Sequence, residues 1–135
     1  MESMQEINVH LENEFDIVSA RQAVRNLSKS MGFGLVDQTR ITTAISELAR
    51  NIVLYAGEGS IYLRAINNGL RKGIEILASD NGPGIVDINL AMQDGYTTSR
   101  GMGTGLPGTK RLMDEFSIQS SPGEGTQVVV RKWLR

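Results

Sequence analysis

Two strand-like runs, Ser60 to Ile66 and Lys72 to Ser79, flank the tripeptide Asn67, Asn68, Gly69. Asn and Gly tolerate the positive φ that a tight hairpin demands, so the two runs are expected to pair antiparallel. Upstream, Ile7, Val9 and Leu11 alternate with polar residues, as in a half-buried strand. Asp16 is placed to cap a helix whose apolar stripe runs Ile17, Ala20, Val24, Leu27, Met31 and stops at Gly32. A second helix is expected from Asp37, carrying Ile41, Ala44, Ile45, Leu48, Ile52 and Tyr55 at helical spacing before Gly57 ends it. After the hairpin, Asp87 to Gln93 reads as a short helix and Gly95 to Gly105, small and polar without an apolar period, as a mobile loop. A third helix from Leu106 to Phe116, a strand from Ser117 to Ser121, a turn at Pro122 to Gly125 and a last strand from Gln127 to Leu134 complete the pattern. The fold class expected is α+β: a two-layer sandwich with helices on one face of a mostly antiparallel sheet. Without a repeat, low-complexity tract or linker, residues 1–135 read as one domain.

Charge narrows the function. Fourteen Lys and Arg against 15 Asp and Glu leave a net charge of -1 and no cationic excess for a nucleic-acid backbone, so DNA and RNA are not expected partners. Glu2 and Glu6 are acidic where a secretory signal is basic, and no apolar run approaches the ~20 residues of a membrane helix. A cytoplasmic protein without a membrane partner is expected. Zero Cys and a lone His10 exclude thiol chemistry and zinc sites built on paired histidines.

Four short stretches carry candidate chemistry. Glu47 and Asn51, four residues apart on the second helix, project a carboxylate and an amide from nearly the same face. An isolated pair of this kind is ordinarily two solvated residues. Asp80 to Gly84 follows the second hairpin strand directly, with Gly82 and Gly84 allowing close backbone approach to a ligand; Asn-Gly and Pro-Gly are also common turn dipeptides. Gly101, Gly103, Thr104 and Gly105 run into the third helix, offering bare amides to polyphosphate, with Lys110 a turn further on. A flexible linker reads equally well. No Gly-Lys-Thr or Gly-Lys-Ser follows at the spacing of a P-loop. Gly123 to Thr126 is by itself a hairpin turn.

In this order and spacing the four stretches resemble the ATP-binding domain shared by gyrase B, Hsp90, histidine kinases and MutL, the GHKL superfamily, over nearly the whole chain. The resemblance implies ATP and Mg2+ as cofactors. It identifies Glu47 to Asn51 with the asparagine box, Asp80 to Gly84 with the first glycine box and Gly101 to Gly105 with the second. On that reading Asn51 helps hold Mg2+, Asp80 reads adenine, and the segment from Gly95 to Gly105 closes over the phosphates. Gly82, Gly84, Arg100, Gly101, Gly103, Thr104, Gly105, Lys110 and Thr126 then complete the nucleotide site. One position departs: many histidine kinases carry a phosphate-contacting Lys three residues after the box asparagine, where this chain has Leu54. The cation is then absent or comes from Arg50, Arg100 or Lys110.

A histidine kinase needs a helical hairpin bearing its phosphoacceptor, and gyrase-like ATPases need a transducer domain; neither fits a chain filled by the ATP domain. Glu-Leu-Ala-Arg-Asn at 47–51, Asp-Gly-Tyr-Thr-Thr-Ser at 94–99 and Gly-Thr-Gly-Leu-Pro-Gly-Thr-Lys-Arg-Leu at 103–112 are similar to the RsbT-type switch kinases of bacterial stress signalling. That similarity implies a protein serine/threonine kinase that phosphorylates a STAS-domain antagonist and, once released, activates a PP2C-type phosphatase. Phosphoryl transfer to a hydroxyl requires a group that orients and deprotonates it, and Glu47, beside the metal-holding Asn51, is the expected catalytic residue. The rivals are an anti-sigma-factor kinase of the same fold and an ATP-gated binding module without transfer activity. Intact Glu47 and Asn51 argue against the latter.

Overall fold

The structure, a computed structural model, describes residues 6–85, 92 and 105–135. The expected short helix from Asp87 to Gln93 and the expected loop from Gly95 lie outside the described residues, Met92 and Gly105 excepted, as do Arg100, Gly101, Gly103 and Thr104.

Strand β1 (Glu6–Leu11) leads into helix α1 (Glu14–Met31). Its cap is Asn13, not Asp16: the extended Asn13 backbone (φ -155°, ψ 178°) lets the side chain accept from the amides of Phe15 and Asp16 at 2.9 and 3.2 Å. Asp16, three residues on, returns its carboxylate to the amides of Asn13 and Glu12 at 3.3 and 2.8 Å, completing a capping box. Gly32, at φ 95°, ends the helix where an L side chain would be strained. Helix α2 (Leu35–Asn51) starts two residues before the expected Asp37, behind Gly34, whose carbonyl accepts from the Gln38 amide at 2.9 Å. Asp37 falls in the first turn, where its charge suits the positive end of the helix dipole. From Ile52 to Ala56 the helix widens into a π-helical turn that Gly57, at φ 85°, closes.

Strands β2 (Gly59–Asn67) and β3 (Lys72–Asp80) form the expected antiparallel hairpin, in register from Asn67 opposite Lys72 to Gly59 opposite Asp80. The asparagines build its turn: Asn67 Oδ1 accepts from the Gly69 amide, and Asn68 Oδ1 from those of Leu70 and Arg71. Helix α3 (Gly105–Leu112) is shorter than expected, and β4 (Glu115–Ser120) claims Phe116 for the sheet. The helix stops because Lys132 Nζ takes the Leu112 carbonyl at 2.8 Å while the Asp114 amide donates to the Arg131 carbonyl at 2.9 Å. Strand β5 (Thr126–Trp133) enters between β3 and β4, giving the order β1-β2-β3-β5-β4 with every pair antiparallel.

One face of the sheet meets the helices. Leu11, Ile61, Leu63, Ile74, Ile76, Ala78, Val128 and Val130 pack in one core with Ile17, Ala20, Val24 and Leu27 of α1 and Ile41, Ala44, Ile45 and Leu48 of α2. The α+β sandwich expected from the sequence is therefore the fold observed. On the opposite face, register aligns Glu6, Arg64, Glu75, Arg131 and Glu115 in a row of alternating charge across all five strands. Glu75, buried at its centre, accepts from Arg64 Nε and Arg131 Nε at 2.7 Å each. Burial alone would push its carboxyl up, but the hydrogen bonds and charges of the two guanidinium groups together outweigh burial and hold it below the ordinary range.

A group titrating lower in the folded than in the unfolded chain stabilises above its unfolded value, 4.5 here, and loses that contribution as pH falls through the folded value. Glu75→Gln is therefore expected to cost about 1–3 kcal/mol at pH 7 and to flatten the fall of stability below pH ~4.5. Urea melts at a series of pH values read both effects. An unaltered acid limb in the variant would assign the loss to other carboxylates.

Candidate nucleotide and transfer site

Helix α2 presents its core stripe to the sheet and carries Glu47 near its carboxyl end, where the residue is also buried, 7% exposed. This is not the solvated residue that an isolated Glu would be. Two donors reach the carboxylate: Arg50 Nη1 meets Oε1 at 2.9 Å, and the amide of Gly105, the first residue of α3, meets Oε2 at 3.4 Å. The sequence-predicted Glu47 and Gly105 are thus brought together across 58 residues of chain. Asn51, half-buried, is the last residue of α2. The π-helical turn after it sets the angle at which the chain leaves the helix and brings Ala56 against the first glycine box: a Cβ on Gly82 would lie 2.6 Å from Ala56 Cβ. Such turns occur often at functional sites. Leu54, standing where a lysine was sought, is 49% exposed.

Asp80 ends β3, continuing the inward row Ile74, Ile76, Ala78 by strand alternation. It stands between Gly59 on β2 and Thr126 on β5. Its Oδ1 accepts from the Gly82 amide at 2.9 Å, which orients the carboxylate. Bare glycines make the surroundings possible: a Cβ on Gly59 would lie 2.7 Å from Ile52 Cγ2, and one on Gly125, at φ 82°, only 2.1 Å from the Asp80 carbonyl. The box is laced to the β4–β5 turn by the Gly123 amide on the Pro83 carbonyl at 2.7 Å and the Ile85 amide on Ser120 Oγ at 2.8 Å. Ser120 Oγ also donates to the Gly125 carbonyl at 2.9 Å and meets Thr126 Oγ1 at 2.8 Å. The Gly123 to Thr126 stretch therefore braces Asp80, a role its hairpin-turn composition did not suggest. Lys110 lies exposed on α3, and among the described residues no hydrogen bond or ion pair joins it to the other candidates.

An oriented carboxylate at a strand end, beside glycines packed too closely for a Cβ, fits an adenine nucleotide. The side-chain oxygen of Asn51 is the hard donor that Mg2+ prefers, and the Glu47 carboxylate, one turn before it, lies on the same helix face.

The sequence profile of the histidine kinase-, DNA gyrase B-, and HSP90-like ATPases matches residues 36–135. The chain belongs to this ATPase family. Within and around the family it is 59% identical over 127 residues to the serine/threonine-protein kinase RsbT of Bacillus subtilis, covering 94% of this chain and 96% of that one. It is 32% identical over 121 residues to the anti-sigma F factor of a Thermoanaerobacter species, covering 85% and 83%. A crystal structure of RsbU and RsbW domains from Mycobacterium tuberculosis superposes with a TM-score of 0.65 at 19% identity, over 99% of this chain and 33% of that one, and supports the fold alone. Among the described residues no helix is long and apolar enough to cross a membrane.

Sequence reasoning missed three contributors: the π-helical turn, Ser120, and the pairing of Arg50 with Glu47. Only the last had a signal, the three-residue spacing of opposite charges on one helix.

If Asp80 reads the base, its carboxylate accepts from the adenine amine and faces a repelling carbonyl in guanine. An unmatched buried polar group costs about 1–3 kcal/mol, so ATP is expected to bind at least roughly tenfold more tightly than GTP, and Asp80→Ala to erase the difference. Calorimetry giving equal affinities in the parent would remove Asp80 from the base pocket.

Proposed function

We propose that this chain is an ATP-dependent protein serine/threonine kinase of the partner-switching type, acting in the cytoplasm as a single kinase domain spanning residues 1–135. The observation that carries the reading is the buried Glu47, one helical turn before Asn51 and in contact with the start of α3. The 59% identity to RsbT supports the kinase assignment, against 32% to an anti-sigma F factor. The substrate we propose is a Ser or Thr of a STAS-domain antagonist, with a PP2C-type phosphatase as the alternative partner.

Bound Mg-ATP supplies the transferable γ-phosphoryl group and the positive charge that offsets its oxygens. Asp80 accepts from the adenine amine and sets the register of the nucleotide. Gly82 and Gly84 allow the backbone to lie against it. Asn51 would hold the metal through its side-chain oxygen. Glu47 accepts a hydrogen bond from the incoming hydroxyl and takes its proton as the oxygen–phosphorus bond forms and the bond to ADP breaks.

A positioned base is worth 10²- to 10⁴-fold in rate, roughly 3–5 kcal/mol of barrier, whereas ground-state ATP need not touch it. Glu47→Ala is expected to bind ATP within a few-fold of the parent and to transfer labelled γ-phosphate to a purified STAS protein at least about a hundredfold more slowly. Asn51→Ala should also weaken Mg-dependent binding. Transfer by Glu47→Ala at the parental rate would remove Glu47 from the chemistry; loss of ATP binding would place it in the nucleotide pocket instead.

A further inference from the structure

The two contacts on Glu47 differ in kind. Arg50 lies one turn away on the same rigid helix, and its 2.9 Å bond is short and charge-assisted. Gly105 belongs to another element, and its amide approaches the other oxygen at 3.4 Å, a long contact that is readily exchanged. Oε1 is thus occupied by a strong donor, while Oε2 carries a contact that an incoming hydroxyl can replace. The Glu47 side chain is 9% exposed and that of Arg50 37%, so the pair is not a solvated surface bridge: without Arg50 the buried group would lose its one short, charged partner among the described residues.

We propose that Arg50 is a positioning residue for phosphoryl transfer, fixing the Glu47 carboxylate through Oε1 so that Oε2 faces the acceptor hydroxyl at the start of α3. It acts through Glu47 and not as a ligand of the phosphates. The inference rests on the reading of Glu47 as the base. Glu has three side-chain torsions, and a misplacement of about 1 Å in a reacting group can cost ~10²-fold in rate. A Lys at position 50 would offer a point charge without the planar fork, and so would restore the function only in part.

The test measures transfer of labelled γ-phosphate to a purified STAS protein by the full-length chain, with thermal melts to establish folding. Arg50→Met is expected to lower kcat about 10- to 100-fold, with KM and Kd for ATP changed less than about twofold. Arg50→Lys should recover part of the loss, and it serves as the folded comparison if Arg50→Met melts at assay temperature. In a Glu47→Gln background, Arg50→Met should slow transfer by less than about twofold more, because its effect passes through the group already removed. A raised KM for ATP with intact kcat would make Arg50 a phosphate ligand and overturn the proposal. So would an undiminished effect in the Glu47→Gln background, which a purely structural role would produce. If Glu47→Gln alone transfers at the parental rate, the base assignment itself fails, and the inference falls with it.

Discussion

The pleat of β3 determines where both the core and the candidate site lie. Successive side chains of a strand point to opposite faces, so Ile74, Ile76 and Ala78 enter the core and Asp80 continues their row at the strand's end. Asp80 is thereby anchored by the most deeply buried strand of the sheet, flanked by β2 and β5. Glu75, on the other face of the same strand, joins the charged row across the sheet. A one-residue slip of β3 would move Asp80 to the outer face and drive Glu75 into the helices. The core thus specifies the register that the site requires.

Close backbone packing then converts a strand end into a cradle. Gly59, Gly82, Gly84 and Gly125 all sit where a Cβ would collide with backbone carbonyl or Ala56 main-chain atoms that have little room to yield. Four elements therefore converge on Asp80: β2, the π-helical turn, the first glycine box and the β4–β5 turn. Ser120, whose one hydroxyl accepts from the Ile85 amide, donates to the Gly125 carbonyl and meets Thr126 Oγ1, ties the last two together.

How much of this was legible in the sequence follows from how local each cause is. The hairpin was readable because the asparagines that build its turn act within four residues. The helices were readable from their stripes, but their ends were not: Asn13 and Asp16 are both plausible caps, and only the reciprocal bonds of the capping box tell them apart. Helix α3 ran too long because its stop signal is Lys132, twenty residues away, which alternation alone would have marked as an odd charge among Val128 and Val130. The glycine boxes showed as composition, and their purpose came through resemblance. The bracing of Asp80 by Ser120 and Gly125 depends on strand order, which no single stretch encodes.

The buried charges separate structure from chemistry. Glu75 takes short bonds from two guanidinium groups, and Lys132 binds the Leu112 carbonyl with Asp37 and Asp114 at 3.8 and 3.7 Å. Each has its charge balanced by contacts that a closed, permanent structure provides. Glu47 is buried to the same degree, and among the described residues it has one short partner, itself a third exposed, and one long amide contact. The oxygen of Glu47 that carries the long contact faces the start of α3, the element that follows the second glycine box. On the proposed reading, a substrate hydroxyl arriving there would exchange with that long contact and be placed for proton removal.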